Sequence, residues 1–143
     1  MTNRERGVGW TTLLAILLFL AACGTTTPAM PVGDAANGER IYTGATLIAS
    51  GDAPACSMCH AVEPGKSGDI GPNLSNIGNR AATTIEGMPA AEYLRASIVN
   101  PDSYLAGGFQ EGIHYRGYGE ALTPEQVDDL VAYMLTLTSG QDN

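Results

Sequence analysis

An all-α domain of a few short helices is the fold this sequence predicts, and three observations carry it. The chain contains no run of four or more β-branched or aromatic residues, so nothing in it reads as a strand. From Thr123 to Thr138 a capping box leads into apolar residues at three- and four-residue steps, the pattern of a helix with one buried face. Cys56-Ser57-Met58-Cys59-His60 places two thiols and an imidazole at a spacing that suits one short helical turn. The 143 residues carry 7 Lys plus Arg against 15 Asp plus Glu, a formal charge of −8. Phosphate affinity needs clustered basic side chains, so a nucleic-acid binder is excluded.

In chain order, the first element is a leader. Arg4-Glu5-Arg6, a spacer with Trp10 and the unbroken apolar run Leu13 to Ala22 follow the order of a secretory signal peptide. The run falls well short of the roughly 20 residues that span a bilayer as a helix. Extended through Trp10, Thr11 and Thr12 it becomes a marginal uncleaved anchor, which is the competing reading. The ending Leu20-Ala21-Ala22-Cys23-Gly24 resembles the lipobox of bacterial lipoproteins. That resemblance implies removal of residues 1–22 and acylation at Cys23, with palmitate-type chains and a diacylglyceryl group. Several acyl chains anchor a protein far more firmly than one. Residues 23–33, rich in Thr, Pro and Gly, read as a lipidated flexible tether. Losing the leader removes Arg4, Arg6 and Glu5 and leaves 121 residues with 5 basic and 14 acidic groups, a charge of −9.

The remaining domain, 34–143, is large enough for one small core. Asp34 caps a first helix from Ala35 to about Thr43, which carries Gly38 and Tyr42. C-x-x-C-H follows at 56–60, the attachment signature of c-type haem. Two thiols three positions apart project to one side and add to the two vinyl groups of one porphyrin edge, and the next residue sets an imidazole beneath the iron. A simple disulfide, a thioredoxin-like redox pair, or half of a zinc site completed by His60 and His114 are the competing readings of Cys56 and Cys59. A further helix is expected from Pro89 to Asn100, with Leu94 and Ile98 four apart and Pro101 as its stop. The last helix starts at Thr123-Pro124-Glu125-Gln126, buries Val127, Leu130, Val131, Met134 and Leu137 or Thr138, and is expected to end at Gly140.

With these residues in place, the domain resembles a class I, mono-haem cytochrome c along nearly all of its length, a fold of short helices wrapped around one haem c. The resemblance implies that Gly38 and Tyr42 let the first helix cross closely over the last, where Tyr133 is the terminal aromatic. It also implies that His60 is the proximal iron ligand and that, in Gly71-Pro72-Asn73-Leu74, the Pro72 carbonyl accepts a hydrogen bond from His60 Nδ1. Leu74 packs on the haem face, and Arg80 pairs with a propionate, unless it is a solvated surface residue. Members of this family bring a Met to the far side of the iron from a loop before the last helix. Here the glycine-rich loop 107–119 reads Gly112-Ile113-His114-Tyr115, with His114 where the Met is expected and Tyr115 where a Pro is expected. His114 is therefore the expected sixth ligand, with Met88, Met134 or an open site as alternatives.

Two filled axial positions leave no place for substrate, so the resemblance implies a one-electron carrier rather than an enzyme. A second imidazole in place of a thioether implies a lower potential. Lipobox, single haem motif and this C-terminal segment together resemble the small mono-haem cytochrome subunit of alternative complex III. The expectation is a lipoprotein on the outer, periplasmic or extracytoplasmic face of a bacterial membrane. Its partners would be redox proteins or other subunits of a quinol-oxidising respiratory or photosynthetic complex. The alternative is a haem peroxidase or gas-binding sensor in which His114 is a distal base beside Tyr115 and Arg116. The acidity suits a partner with a basic face. No localised patch is expected, because Glu125, Asp128 and Asp129 form the only acidic cluster and suit the dipole of their own helix.

Overall fold

The computed structural model describes residues 33–66 and 70–139. The leader, Cys23, most of the tether and Gly140 lie outside the described residues. Among the described residues five α-helices form: α1 (Ala35–Thr43), α2 (Ile77–Thr84), α3 (Ala90–Val99), α4 (Tyr118–Ala121) and α5 (Pro124–Thr136), with 3₁₀ turns at Cys56–Met58 and Pro101–Ser103. Among the described residues there is no strand. None of their helices is long and apolar enough to cross a membrane.

Local chemistry accounts for α1, α3 and α5. The Asp34 carboxylate accepts the N–H groups of Ala36 (2.9 Å) and Asn37 (3.2 Å), and α1 closes on Gly44, whose φ of 81° few other residues adopt. In α5 the Gln126 N–H donates to Thr123 Oγ1 and the Thr123 N–H to Gln126 Oε1, both at 3.2 Å. The same Gln126 side chain binds Leu47 O and the Ala49 N–H, tying the loop after α1 to the head of α5. Pro89 lies just before α3 and Asn100 caps its end, one residue inside the expected bounds on each side.

The end of α5 differs from expectation. It stops at Thr136 because the chain exchanges helical bonds for ties to α2: Leu137 O accepts the Gly78 N–H (2.9 Å) and the Ser139 N–H donates to Ser75 O (3.0 Å). The helix α2 itself was not foreseen. With Gly78, Thr83 and Thr84 it is a weak helix former. It is held by burying Ile77 and Ala81 and by the close approach of Gly78 to the Leu135 carbonyl, 2.5 Å from where a Cβ would sit.

The most extensive helix–helix contact is α1 over α5. A Cβ on Gly38 would overlap the Asp129 carbonyl and lie 2.8 Å from Tyr133 Cβ. One turn on, the rings of Tyr42 and Tyr133 meet at 5.3 Å. The Asp129 carboxylate accepts the Asp34 N–H and Asn37 Nδ2, both at 2.7 Å, and so fastens the start of α1 to α5. Ile41, Tyr42, Leu94, Leu130 and Val131 form the fully buried centre. Gly38→Ala is expected to force the crossing apart at a cost of about 1–3 kcal/mol, the usual range for overpacking. Chemical denaturation of the holoprotein measures it, and an unchanged midpoint would contradict this account of the crossing.

Candidate functional site

One side of this core opens into a cavity of about 630 Å³, within the roughly 300–1,000 Å³ typical of small-molecule and cofactor sites. Its walls are mostly apolar and come largely from α2, α3 and the loops, with Tyr42 from α1, Tyr118 from α4 and Leu130 and Met134 from α5. Ile70, Leu105 and Ile113 stand half exposed at its rim.

Cys56, Cys59 and His60 all face this space. Their turn is built locally, with the N–H groups of Cys59 and His60 both donating to Cys56 O at 3.1 and 3.0 Å. Cys56 and Cys59 are not bonded to each other. Burial pushes the Cys56 thiol up to about 11, the opposite of the depressed value that a reactive redox thiolate needs. Among the described residues no group of three or more His, Cys, Asp or Glu side chains is arranged to hold a metal ion.

Two tyrosine hydroxyls hold the motif at its ends. Tyr42 donates to His60 O (2.8 Å) and Tyr118 donates to Pro54 O (2.7 Å). The sequence marked Tyr42 only for the helix crossing and did not mark Tyr118. A turn whose two ends are fixed from α1 and α4 cannot rotate its thiols out of the cavity.

His60 Nδ1 lies 2.9 Å from Pro72 O, which leaves Nε2 for the cavity. Gly71 makes room for this ring: a Cβ there would overlap it, with Nδ1 only 2.7 Å away. Leu74, 7% exposed, lines the wall beside it. Arg80 also lines the cavity and donates to Asn73 O at 2.9 Å, so it is not a solvated surface residue.

His114 stands across the cavity from His60. The two ring centroids are 5.9 Å apart. Two imidazoles ligating one ion from opposite sides would place their centroids roughly 6 Å apart, given about 2 Å from each nitrogen to the ion. His114 Nδ1 lies 3.1 Å from Tyr115 O, so its Nε2 is the nitrogen left for ligation. Burial pushes both imidazoles below the ordinary histidine range, against the opposing pull of the Pro72 and Tyr115 carbonyls. Neutral imidazole is the form that binds metal. Tyr118 packs edge-on against the His114 ring at 5.4 Å, and Tyr115 against Tyr118 at 4.9 Å.

Among the other candidates for the far side of an iron, Met134 lines the cavity but is packed into the α5 core. Met88 packs half buried against the core and is not among the cavity-lining residues. Met58 is 71% exposed between the two thiols. Arg116 is likewise not among the lining residues and binds Asp102 and Glu111.

An apolar slot, two thiols on one wall, two neighbouring imidazoles whose Nδ1 atoms are taken up by backbone carbonyls and an arginine on the lining fit a flat, iron-bearing, covalently attached cofactor. Gly71→Ala should tilt the His60 ring away from Pro72. The expected result is a loss of low-spin character in the ferric absorption and EPR spectra, and wild-type spectra would contradict the role given to Gly71.

A comparison with curated proteins finds no match. The family model for cytochrome c matches residues 35–138. That match runs from the first residue of α1 to the tail behind α5 and takes in the whole cavity wall, and the chain therefore belongs to the cytochrome c family, whose members transfer electrons through covalently attached haem c.

Proposed function

We propose that this electron-transfer protein holds its haem between His60 and His114 and works as a lipid-anchored carrier on the outer face of a bacterial membrane. The observation that carries the ligand assignment is the facing pair of imidazoles, each with Nδ1 against a backbone carbonyl and Nε2 left for the space between them. When bound, the haem iron supplies one-electron exchange. The chain's own residues do the rest. Cys56 and Cys59 would hold the porphyrin edge as thioethers. The Pro72 carbonyl fixes the His60 ring and raises its basicity. Tyr42 and Tyr118 keep the attachment turn in place. The apolar walls would keep water from the cofactor, and a second imidazole in place of a thioether would favour the ferric state and a lower potential.

Peroxidase or gas-sensing chemistry needs an exchangeable far side with polar groups in it. Engagement of Arg116 by Asp102 and Glu111 supports the carrier reading instead. The anchor rests on the lipobox resemblance at Cys23. A flexible tether behind a lipid raises the effective concentration of the domain towards membrane-bound partners. Those partners are redox proteins or fellow subunits of a quinol-oxidising respiratory or photosynthetic complex, as in alternative complex III.

Near-infrared magnetic circular dichroism of the ferric protein should show the band of bis-His ligation, and a His/Met band would rule that ligand set out. His114→Met should raise the midpoint potential in an optical titration, whereas no change would remove His114 from the iron. Cys23→Ser should move the haem protein from the membrane to the soluble fraction. Retention in salt-washed membranes would favour an uncleaved leader helix as the anchor.

A further inference from the structure

The loop that carries His114 is gripped from one point, and we propose that Asp102 is the positioning residue that holds the distal imidazole over the cavity. This rests on the reading of His114 as the second axial ligand. Asp102 sits in the 3₁₀ turn behind α3, next to the buried Pro101, so its backbone belongs to a rigid part of the wall. One carboxylate oxygen accepts the Gly112 N–H at 3.0 Å and the other accepts Arg116 Nε–H at 2.5 Å. These contacts fall two residues before and two residues after His114. A single side chain thus pins both shoulders of the ligand loop and leaves the imidazole at its apex.

The loop needs such a grip. It contains Gly107, Gly108, Gly112 and Gly117, and glycine loses more backbone freedom on ordering than any other residue. Gly112 takes a φ of 80°, which presents its N–H to Asp102 where a side-chain-bearing residue would be strained. Arg116 also binds Glu111 at 3.2 Å, which closes the loop on itself. The Gly112 N–H and the Arg116 guanidinium hold the Asp102 carboxyl below its usual range, so the accepting form persists at neutral pH. No hydrogen bond joins Asp102 to His114, and the carboxylate acts on the imidazole directly only through its charge. Its hydrogen bonds act on the two shoulders, on the local opening of the loop rather than on global stability, because an exposed ion pair contributes little to the latter.

The test uses ferrous holoprotein mixed rapidly with carbon monoxide, which binds only as fast as His114 leaves. Asp102→Asn keeps the size of the side chain but puts an amide donor against a donor at one shoulder. It should retain the bis-His near-infrared band and the helical far-ultraviolet signal while binding carbon monoxide about fivefold faster, the scale of a contact of this exposed kind. Arg116→Gln, which loosens one shoulder only, should give a smaller rise. Wild-type rates in Asp102→Asn would overturn the positioning role and leave the His114 assignment intact. A His/Met band, or immediate binding by the wild-type protein, would instead overturn the assignment and the proposal with it. If Asp102→Asn yields no holoprotein, the Arg116→Gln rate decides: faster supports the grip, unchanged removes it.

Discussion

The crossing of α1 over α5 fixes where every other part of the molecule can go. Gly38 lets the two backbones touch, and Asp129 reaches back from α5 to two donors at the start of α1. That contact sets the position of Tyr42, whose ring packs on Tyr133 and whose hydroxyl reaches the His60 carbonyl. One side chain therefore joins the helix crossing to the attachment turn. An error of an ångström in the crossing would be passed directly to the proximal imidazole.

The cavity replaces what would be the rest of a core. A domain of about a hundred residues has room for one small core. Here Leu74, Leu94, Leu130 and Met134 are packed on one side by other residues and line the cavity on the other. A haem held there would serve both as the redox centre and as a large apolar body for those side chains to pack on. Stability and electron transfer then depend on the same contacts, and the hydrogen bonds of Tyr42, Tyr118 and Pro72 support both.

How much of this was legible in the sequence varied with the range of the forces involved. Caps and apolar stripes are local, so α1, α3 and α5 could be read directly from Asp34, Pro89 and Thr123-Pro124-Glu125-Gln126. C-x-x-C-H is local as well. The helix α2 could not be read, because its residues are poor helix formers and its support comes from Leu135 and Leu137, nearly sixty positions later. The short α4 has too few residues for any periodicity to show. Tyr118 offered no signal, since its partner Pro54 lies 64 positions away. Asp102 offered none either, because it acts on loop groups ten and fourteen residues on. His114 was reached only through a family resemblance; as a bare residue in a glycine-rich loop it carries no pattern of its own.

The bond from Gly78 to the chain behind α5, together with the tie between Asp34 and Asp129, has a temporal side. The attachment turn is made by contacts within five residues, so it can form as soon as the segment exists. Its enclosure requires residues 70 or more positions later, and long-range contacts of this kind close slowly. The thiols are thus presented before the last wall stands beside them. The arrival of the last helix then shuts the enclosure, and the order of events is written into the spacing of the contacts.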